Sequence, residues 1–236
     1  MVVWHRFEVL KKLKMKLISV NVGLPREVTW KGKPVRTGIF KESVNSRVMV
    51  RELNLDGDRQ ADLTVHGGVD KAVYVYPFEH YEYWQSELPD TELTLGIFGE
   101  NFTVTGFKEE EINIGDRFKI GSAELMVTQP RLPCYKLGIR FGRSDMVKRF
   151  LASRRTGFYF RVLQEGEVVA GDTLELMSRD TNNISVADIT QLYVRERSNP
   201  ELLYRAAELE ALPKSWRDYF QEQIRQRPSG GEKGKG

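Results

Sequence analysis

The chain has 236 residues, 40% of them hydrophobic, and a formal net charge of +3. This composition is sufficient for a hydrophobic core and excludes wholesale disorder, and the lack of any long apolar run excludes a membrane-spanning helix. The excess positive charge lies in residues 1–14 and 225–236, and the body between them is slightly acidic, which argues against nucleic-acid binding as the main activity.

The beginning of the chain and its cysteine content indicate a cellular compartment. Residues 1–14 are basic and partly amphipathic, and we interpret them as an extension before a domain that begins at Met15, with a short surface helix as the alternative. This segment lacks the apolar region and cleavage site of a secretory signal, and the single cysteine, Cys134, cannot form an internal disulfide. We therefore expect a reducing, cytoplasmic environment.

Short β-type runs separated by turn residues dominate residues 15–182. Strands are predicted at 17–22, 48–50, 54–55, 63–65, 72–76, 102–104, 117–120, 124–128, 159–163 and 173–177. Helices are predicted only at 78–87 and 146–152. Many short strands with few helices between them favour a mainly β fold, a closed or nearly closed antiparallel β-barrel into which the helices are inserted.

From residue 183 the pattern becomes helical. Ser185 can cap a helix over 186–194, and further helices are predicted at 201–210 and 214–227, each with a proline at its start. Three short helices are too few to be stable alone, so we expect residues 183–227 to pack as a small domain on the barrel or on a partner. The Gly/Lys-rich residues 228–236 are predicted to form a disordered tail.

The first motif that indicates chemistry surrounds Cys134. Two prolines, Pro130 and Pro133, lie between the predicted strand at 124–128 and Cys134. Because they restrict the backbone, we expect Cys134 in a rigid loop at the end of that strand. Arg131, Lys136 and Arg140 are close in sequence, and neighbouring cations favour the thiolate, which is the nucleophilic and metal-binding form of cysteine. The alternative from the residues alone is a buried, inert cysteine.

A second motif combines polar side chains with two adjacent glycines: Asp62, Thr64, His66, Gly67, Gly68 and Lys71. If 63–65 is a strand, the first three of these share one face. The glycines can present backbone N–H groups to a ligand, and the lysine supplies positive charge suited to a phosphate. A tight polar turn remains the alternative interpretation.

Two shorter segments could also contact a ligand. Thr37 and Lys41 flank a glycine, with Arg47 beyond them, and this segment could hold an anion or form an ordinary hairpin. Asn101 ends a glycine-bounded loop, where its amide could contact the edge of a heterocycle or simply stabilise a turn.

Several common chemistries do not fit the sequence. One cysteine and three histidines are too few for a typical structural zinc site, and no P-loop, dinucleotide-binding or nucleophile-elbow motif is present. A nucleophilic pair of Cys134 and His66, as in a thiol hydrolase or sulfur-transfer enzyme, remains open because such partners are often distant in sequence.

Together these segments resemble the MOSC domain, and within that family the bacterial YiiM branch. The resemblance rests on residues 37–41, 57–62, 66–73, 99–101 and 129–137, which occur in the expected order and are specific only in combination. The helices after residue 183 are similar to the small three-helix domain that follows the MOSC domain in this branch. Residues 1–14 have no counterpart in it.

The resemblance implies a β-barrel that holds a pyranopterin molybdenum cofactor, with Cys134 as the metal ligand. It implies phosphate contacts from Lys41 and Lys71, with Arg47, Arg131 or Arg140 as further candidates, and pterin contacts or proton delivery from Asp62, His66 and Asn101. Thr37, Gly67, Gly68 and Lys136 complete the expected cofactor-binding set. Asp62 and His66, as proton donors, join Cys134 as the expected catalytic residues.

Relatives in the YiiM branch reduce 6-N-hydroxylaminopurine and similar N-hydroxylated bases, with electrons from a separate flavoprotein reductase. The resemblance therefore implies an oxidoreductase that detoxifies N-hydroxylated compounds. A carrier or transferase of cofactor or sulfur acting through Cys134 is the alternative, beside the thiol hydrolase. The arginines of the terminal helices alternate with glutamates, which disfavours a nucleic-acid module; a homodimer is compatible with the sequence.

Overall fold

The computed structural model describes residues 15–62, 66–194 and 199–227. Our interpretations of residues 1–14, 63–65 and 228–236 lie outside the described residues. Twelve strands are present in the described chain: β1 (Lys16–Val22), β2 (Arg26–Trp30), β3 (Lys33–Thr37), β4 (Glu42–Val44), β5 (Val48–Val50), β6 (Val73–Pro77), β7 (Phe102–Thr105), β8 (Arg117–Ile120), β9 (Ala123–Pro130), β10 (Phe158–Gln164), β11 (Gly166–Val168) and β12 (Leu174–Ser178).

Hydrophobic alternation explains most of these strands. In β8, Phe118 and Ile120 are buried while Arg117 and Lys119 are exposed, as expected when successive side chains point to opposite faces of a sheet. β6 is buried at all five positions. Its Val73 and Val75 belong to one hydrophobic cluster and its tyrosines to a second, so β6 runs between the two cores.

Eight strands form one sheet in the order β12-β8-β9-β10-β6-β7-β1-β4. All neighbours are antiparallel except β6 and β7, which run parallel because the helix α1 (Glu79–Glu87) carries the chain across between them. An isolated bridge joins Lys16 in β1 to Thr173, the residue before β12. At this point the sheet curls so that one edge approaches the strand next to the other edge.

The prediction of a mainly β domain with inserted helices, followed by three helices, is confirmed. Three details differ. The described strands form a curled sheet with one parallel pair rather than a continuous antiparallel barrel. The predicted strand at 54–55 is reduced to one bridge between Leu55 and Val50. The hairpin of β2 and β3 and the short strands β4 and β11 were not predicted, because the hairpin is mostly exposed and β4 and β11 each contain a single apolar residue.

Two helices follow the strands that carry the cysteine motif. α2 (Tyr135–Phe141) begins directly after Cys134, and α3 (Met146–Ser153) follows it. The expectation of a rigid loop around Cys134 is therefore only partly right, because the residue is the N-terminal cap of a helix that was not predicted. α3 coincides with the helix predicted at 146–152.

The C-terminal helices are α4 (Val186–Val194), α5 (Pro200–Glu208) and α6 (Lys214–Arg225). Ser185 caps α4 as predicted, because its Oγ accepts a hydrogen bond of 3.0 Å from the Asp188 N–H. Apolar side chains of all three helices belong to the same buried cluster as those of β8 and β9, so the helices pack directly on the sheet. None of the helices in the described chain is long and apolar enough to cross a membrane.

Candidate functional site

A cleft collects polar side chains from segments that are distant in sequence. It lies where the end of β3, the turn before β6 and the connection from β9 to α2 meet. Its lining includes eight of the residues expected to bind the cofactor or the metal: Thr37, Lys41, His66, Lys71, Asn101, Arg131, Cys134 and Lys136.

Cys134 lies in this cleft and is half-buried. Its Sγ atom is 3.3 Å from Nε2 of His66, although the two residues are 68 positions apart in the chain. The sequence left open an inert cysteine buried in the core, but Cys134 is only half-buried and lines the cleft. The thiol is accessible from the cleft and is paired with an imidazole, which is an arrangement suited to nucleophilic chemistry or to metal binding.

The backbone N–H of His66 donates a hydrogen bond of 3.0 Å to the Asp62 carbonyl. Burial lowers the pKa of His66 below its usual value, and the charges of Lys136 and Lys71 lower it further. The ring is therefore neutral near pH 7. Its Nδ1 atom is buried and has no hydrogen-bond partner among the described residues.

Arg131 places a buried positive charge at the cleft. Its side chain is only 6% exposed, and its guanidinium carbon lies 5.1 Å from the ring centre of Tyr74 and 5.0 Å from that of Phe150. Its Nη1 atom has no partner among the described residues. Because an unsatisfied buried donor is costly, this atom marks a position where a bound anion or carbonyl would be stabilised.

Two further lysines add positive charge. Lys136 is nearly buried at the cleft and forms no ion pair with any described residue. Lys71 is half-buried, and burial lowers its pKa, an effect that the charge of Asp70 opposes. Together with Arg131 they line the same cleft as the thiol; Arg131 and Lys136 are two of the three cations that the cysteine motif indicated.

Lys41 and Asn101 line the cleft but are already engaged. Both bind the carboxylate of Asp58, which is completely buried: Lys41 Nζ contacts Oδ1, and the amide of Asn101 donates to Oδ2 at 2.9 Å. Asn101 Oδ1 also accepts from the Tyr74 N–H at 3.0 Å. The two residues therefore brace the cleft wall, and Asp58, which was not among the residues expected at the site, organises them.

The remaining expected residues occupy different places. Thr37 lines the cleft and its Oγ1 accepts from the Ile39 N–H at 3.2 Å. Gly68 precedes the short 3₁₀ turn Val69–Lys71 with φ +100°, a conformation that favours glycine. Neither Gly67 nor Gly68 is among the described cleft-lining residues, and the same holds for Asp62.

Two expected arginines lie outside the cleft. Arg47 is exposed at the surface. Arg140 stacks on Phe40, with its guanidinium carbon 5.2 Å from the ring centre, and its buried Nε has no partner in the described part of the chain. Arg140 is thus close to the Thr37–Lys41 segment without facing the open space.

Gly38 explains why the Thr37–Lys41 segment reaches the cleft. A Cβ atom at this position would lie 2.5 Å from the backbone oxygen of Arg59. Any side chain would therefore push this segment away from the neighbouring one, which carries Asp58. The close approach of the two segments requires glycine.

The donor set fits a cofactor that brings its own metal ligands. No group of three or more His, Cys, Asp or Glu side chains within the described residues could enclose a metal ion. A single thiolate is sufficient only if the metal is already held by another molecule. The orphaned atoms of His66 and Arg131 then offer hydrogen bonds to that molecule, and the lysines offer charge to an anionic group.

Comparison with known proteins identifies the family. The model of the MOSC domain matches residues 62–175, and that of the YiiM-like 3-alpha helix domain matches residues 184–227. The uncharacterized protein YflK of Bacillus subtilis is 43% identical over 89% of this chain and 95% of its own length. The chain belongs to the MOSC-domain family, in its YiiM-like branch.

A solved structure and a more distant relative agree with this membership. The crystal structure of YiiM from Geobacillus stearothermophilus superposes with a TM-score of 0.75 at 36% identity, over 89% of this chain and 99% of that one. A protein named Reductase from Gibberella moniliformis is 32% identical over 90% of this chain, a match that covers 38% of that longer protein. Membership in the family supports a MOSC-type enzymatic function.

Proposed function

We propose that the chain is a molybdenum-cofactor-dependent reductase of N-hydroxylated compounds, such as N-hydroxylated purine bases. The observation that carries the proposal is the contact between Cys134 and His66 in a cationic cleft whose buried donors lack partners. The resemblance to the YiiM branch and the relative named Reductase support the reaction class.

In this proposal Cys134 would bind the metal, while Arg131, Lys71 and Lys136 would contact the anionic part of the cofactor. These cations are buried or half-buried, so their charge is weakly screened by solvent and favours both the thiolate and a phosphate. When bound, the cofactor would supply the two-electron chemistry that the side chains of the chain cannot perform.

His66 is the residue placed to handle protons. Reduction of an N-hydroxyl group breaks the N–O bond, consumes two electrons and two protons, and releases an amine and water. His66 lies in the cleft beside the thiol, so its ring, which is neutral near pH 7, can take up a proton from solvent and pass a proton to the leaving oxygen. Asp62 does not line the cleft, and its charge acts on His66 by opposing the fall of its pKa.

The electrons must come from another protein, and a flavoprotein reductase is the donor that we propose. The sequence has no flavin- or nicotinamide-binding motif of its own. A small N-hydroxylated molecule would enter through the open side of the cleft.

The deciding experiment uses protein from a host that makes the molybdenum cofactor. Molybdenum and pterin are measured in the wild type and in the Cys134→Ala variant, with Lys119→Ala as a control because Lys119 is exposed on β8. Near-stoichiometric metal in the wild type and control, and loss of metal from Cys134→Ala, is the expected result. His66→Gln should keep the metal and lose about 100-fold in the turnover of 6-N-hydroxylaminopurine with an artificial electron donor.

A thiol enzyme or sulfur carrier is the second candidate, and the same short contact between Cys134 and His66 favours it. Absence of molybdenum and pterin from wild-type protein, even after reconstitution, would contradict the reductase. Rapid alkylation of Cys134 that slows in His66→Gln, together with a persulfide found at Cys134 by mass spectrometry, would then support the thiol chemistry.

A further inference from the structure

The cleft continues into a wider space between the sheet and the three-helix domain. One wall of this space is formed by the cysteine site, through His66, Lys71 and Cys134. Another wall of the same space consists of three aromatic side chains, Tyr193 from α4 and Trp216 and Tyr219 from α6, which we call the aromatic wall.

The aromatic wall is one continuous surface. The ring centre of Tyr193 lies 5.5 Å from that of Trp216 in an edge-on arrangement and 5.7 Å from that of Tyr219. Trp216 is 93% buried by the packing of the helices, whereas the two tyrosines are half-buried. The tyrosines therefore present most of the accessible aromatic surface, and the tryptophan supports them from behind.

Hydrogen bonds fix the aromatic wall relative to the cysteine site. Trp216 Nε1 donates to the side-chain oxygen of Gln129 in β9, and the amide of Gln129 donates to the Asp70 carbonyl at 3.1 Å. Asp70 lies beside Lys71 in the turn, and its carboxylate is held by Arg161. The α6 helix is thus joined, through two buried or half-buried contacts, to the segment that carries Lys71.

We infer that the aromatic wall binds the planar heterocycle of the substrate, so that the three-helix domain determines the substrate preference of the Cys134 site. This inference rests on the proposed reductase function. Aromatic rings stack on the faces of nucleobases, and the cysteine site in the same space offers charged and polar groups that would contact the reacting N-hydroxyl group. A cleft with one apolar wall and a few convergent polar groups is typical of a site for a small heterocyclic molecule.

The first test compares the kinetic constants for a substrate that contains a ring with those for a substrate that does not. In the cofactor-loaded enzyme, Tyr193→Leu and Tyr219→Leu should each raise KM for 6-N-hydroxylaminopurine about tenfold, because one stacking surface is lost. Their kcat/KM for hydroxylamine itself, which has no ring, should stay within about twofold. Tyr204→Leu is the matched control, because Tyr204 is 53% exposed on α5 and does not line the cleft among the described residues.

A second test needs no cofactor. Adenine binding to the cofactor-free protein is measured by calorimetry, and each of the two tyrosine variants should weaken it about tenfold relative to the wild type and to Tyr204→Leu. Thermal melting confirms that the variants are folded. Equal adenine affinity in all proteins, or no adenine binding by the wild type, would overturn the inference.

The two tests distinguish an error in the role of the aromatic wall from an error in the proposed reductase function. Reduction of both substrates with unchanged KM in the tyrosine variants would leave the reductase in place and remove the role of the aromatic wall. Adenine binding that depends on the tyrosines, in a protein that acquires no molybdenum, would leave the aromatic wall in place and remove the reductase.

Discussion

Two polar clusters border the same cleft, and they differ in whether their donors are satisfied. At the pair of Cys134 and His66, with Arg131 beside it, buried nitrogen atoms have no partner in the described chain. Around Asp58, the side chains of Lys41 and Asn101 are bound to a carboxylate that is itself completely buried. In the first cluster, nitrogen atoms remain available to a ligand. In the second, the polar groups are paired with one another and support the wall of the cleft.

The type of a residue near a cleft does not by itself show whether the residue binds a ligand or supports the structure. A lysine and an asparagine are good ligands for a phosphate or a heterocycle, and both were expected to contact the cofactor. Since a buried carboxylate is costly unless it is paired, the fold uses them to neutralise Asp58. Substitutions in the two clusters should therefore affect different properties of the protein.

The largest effect is expected at the satisfied cluster. Asp58→Ala leaves the nearly buried ammonium of Lys41 unpaired, which should lower the free energy of unfolding by about 3–5 kcal/mol. Urea denaturation of the cofactor-free protein measures this loss. In a Lys41→Met/Asp58→Leu double variant, where both charges are removed, part of the stability should return, although the Asn101 amide and the Gly23 N–H still lose the carboxylate as their acceptor; a double variant as unstable as Asp58→Ala would show that the pair is not the cause.

An intermediate effect, on binding rather than on folding, is expected at the unsatisfied cluster. Arg131→Met removes a buried donor that has no partner for its Nη1, so the free energy of unfolding should stay within about 1 kcal/mol of the wild type. Affinity for the cofactor should fall roughly 10- to 100-fold, because a hydrogen bond from a charged donor is lost. The pterin content of purified protein reports this loss, and full retention of pterin in the variant would place the anion elsewhere.

The smallest effect is a pH dependence of stability that originates at His66. Burial lowers the pKa of this ring in the folded state. Below pH ~6.5 the unfolded chain therefore binds a proton at His66 that the folded chain does not bind. Stability is therefore complete above that pH and falls as the solution is acidified. Between pH 7.5 and 5.5 the melting temperature of the cofactor-free wild type should drop further than that of His66→Gln; parallel curves would contradict the burial of a neutral ring.

Local structure was largely predictable because it depends on neighbouring residues. β8 was predicted with its observed bounds from the alternation of Phe118 and Ile120 with charged side chains. α4 was predicted from the capping signal of Ser185. The hairpin of β2 and β3 was missed because its exposed faces carry no such signal, and α2 was missed because two prolines before Cys134 were read as a loop.

For the candidate site, the sequence by itself determined which residue types were available: one thiol, a few cations and a histidine near two glycines, in an order similar to the MOSC domain. Only the tertiary structure decided which of them meet. The contact of Cys134 with His66, the pairing of Lys41 and Asn101 with Asp58, and the aromatic wall in the same space as the thiol all join residues distant in the chain. Burial and pairing depend on such long-range packing, and they separate a binding group from a structural one.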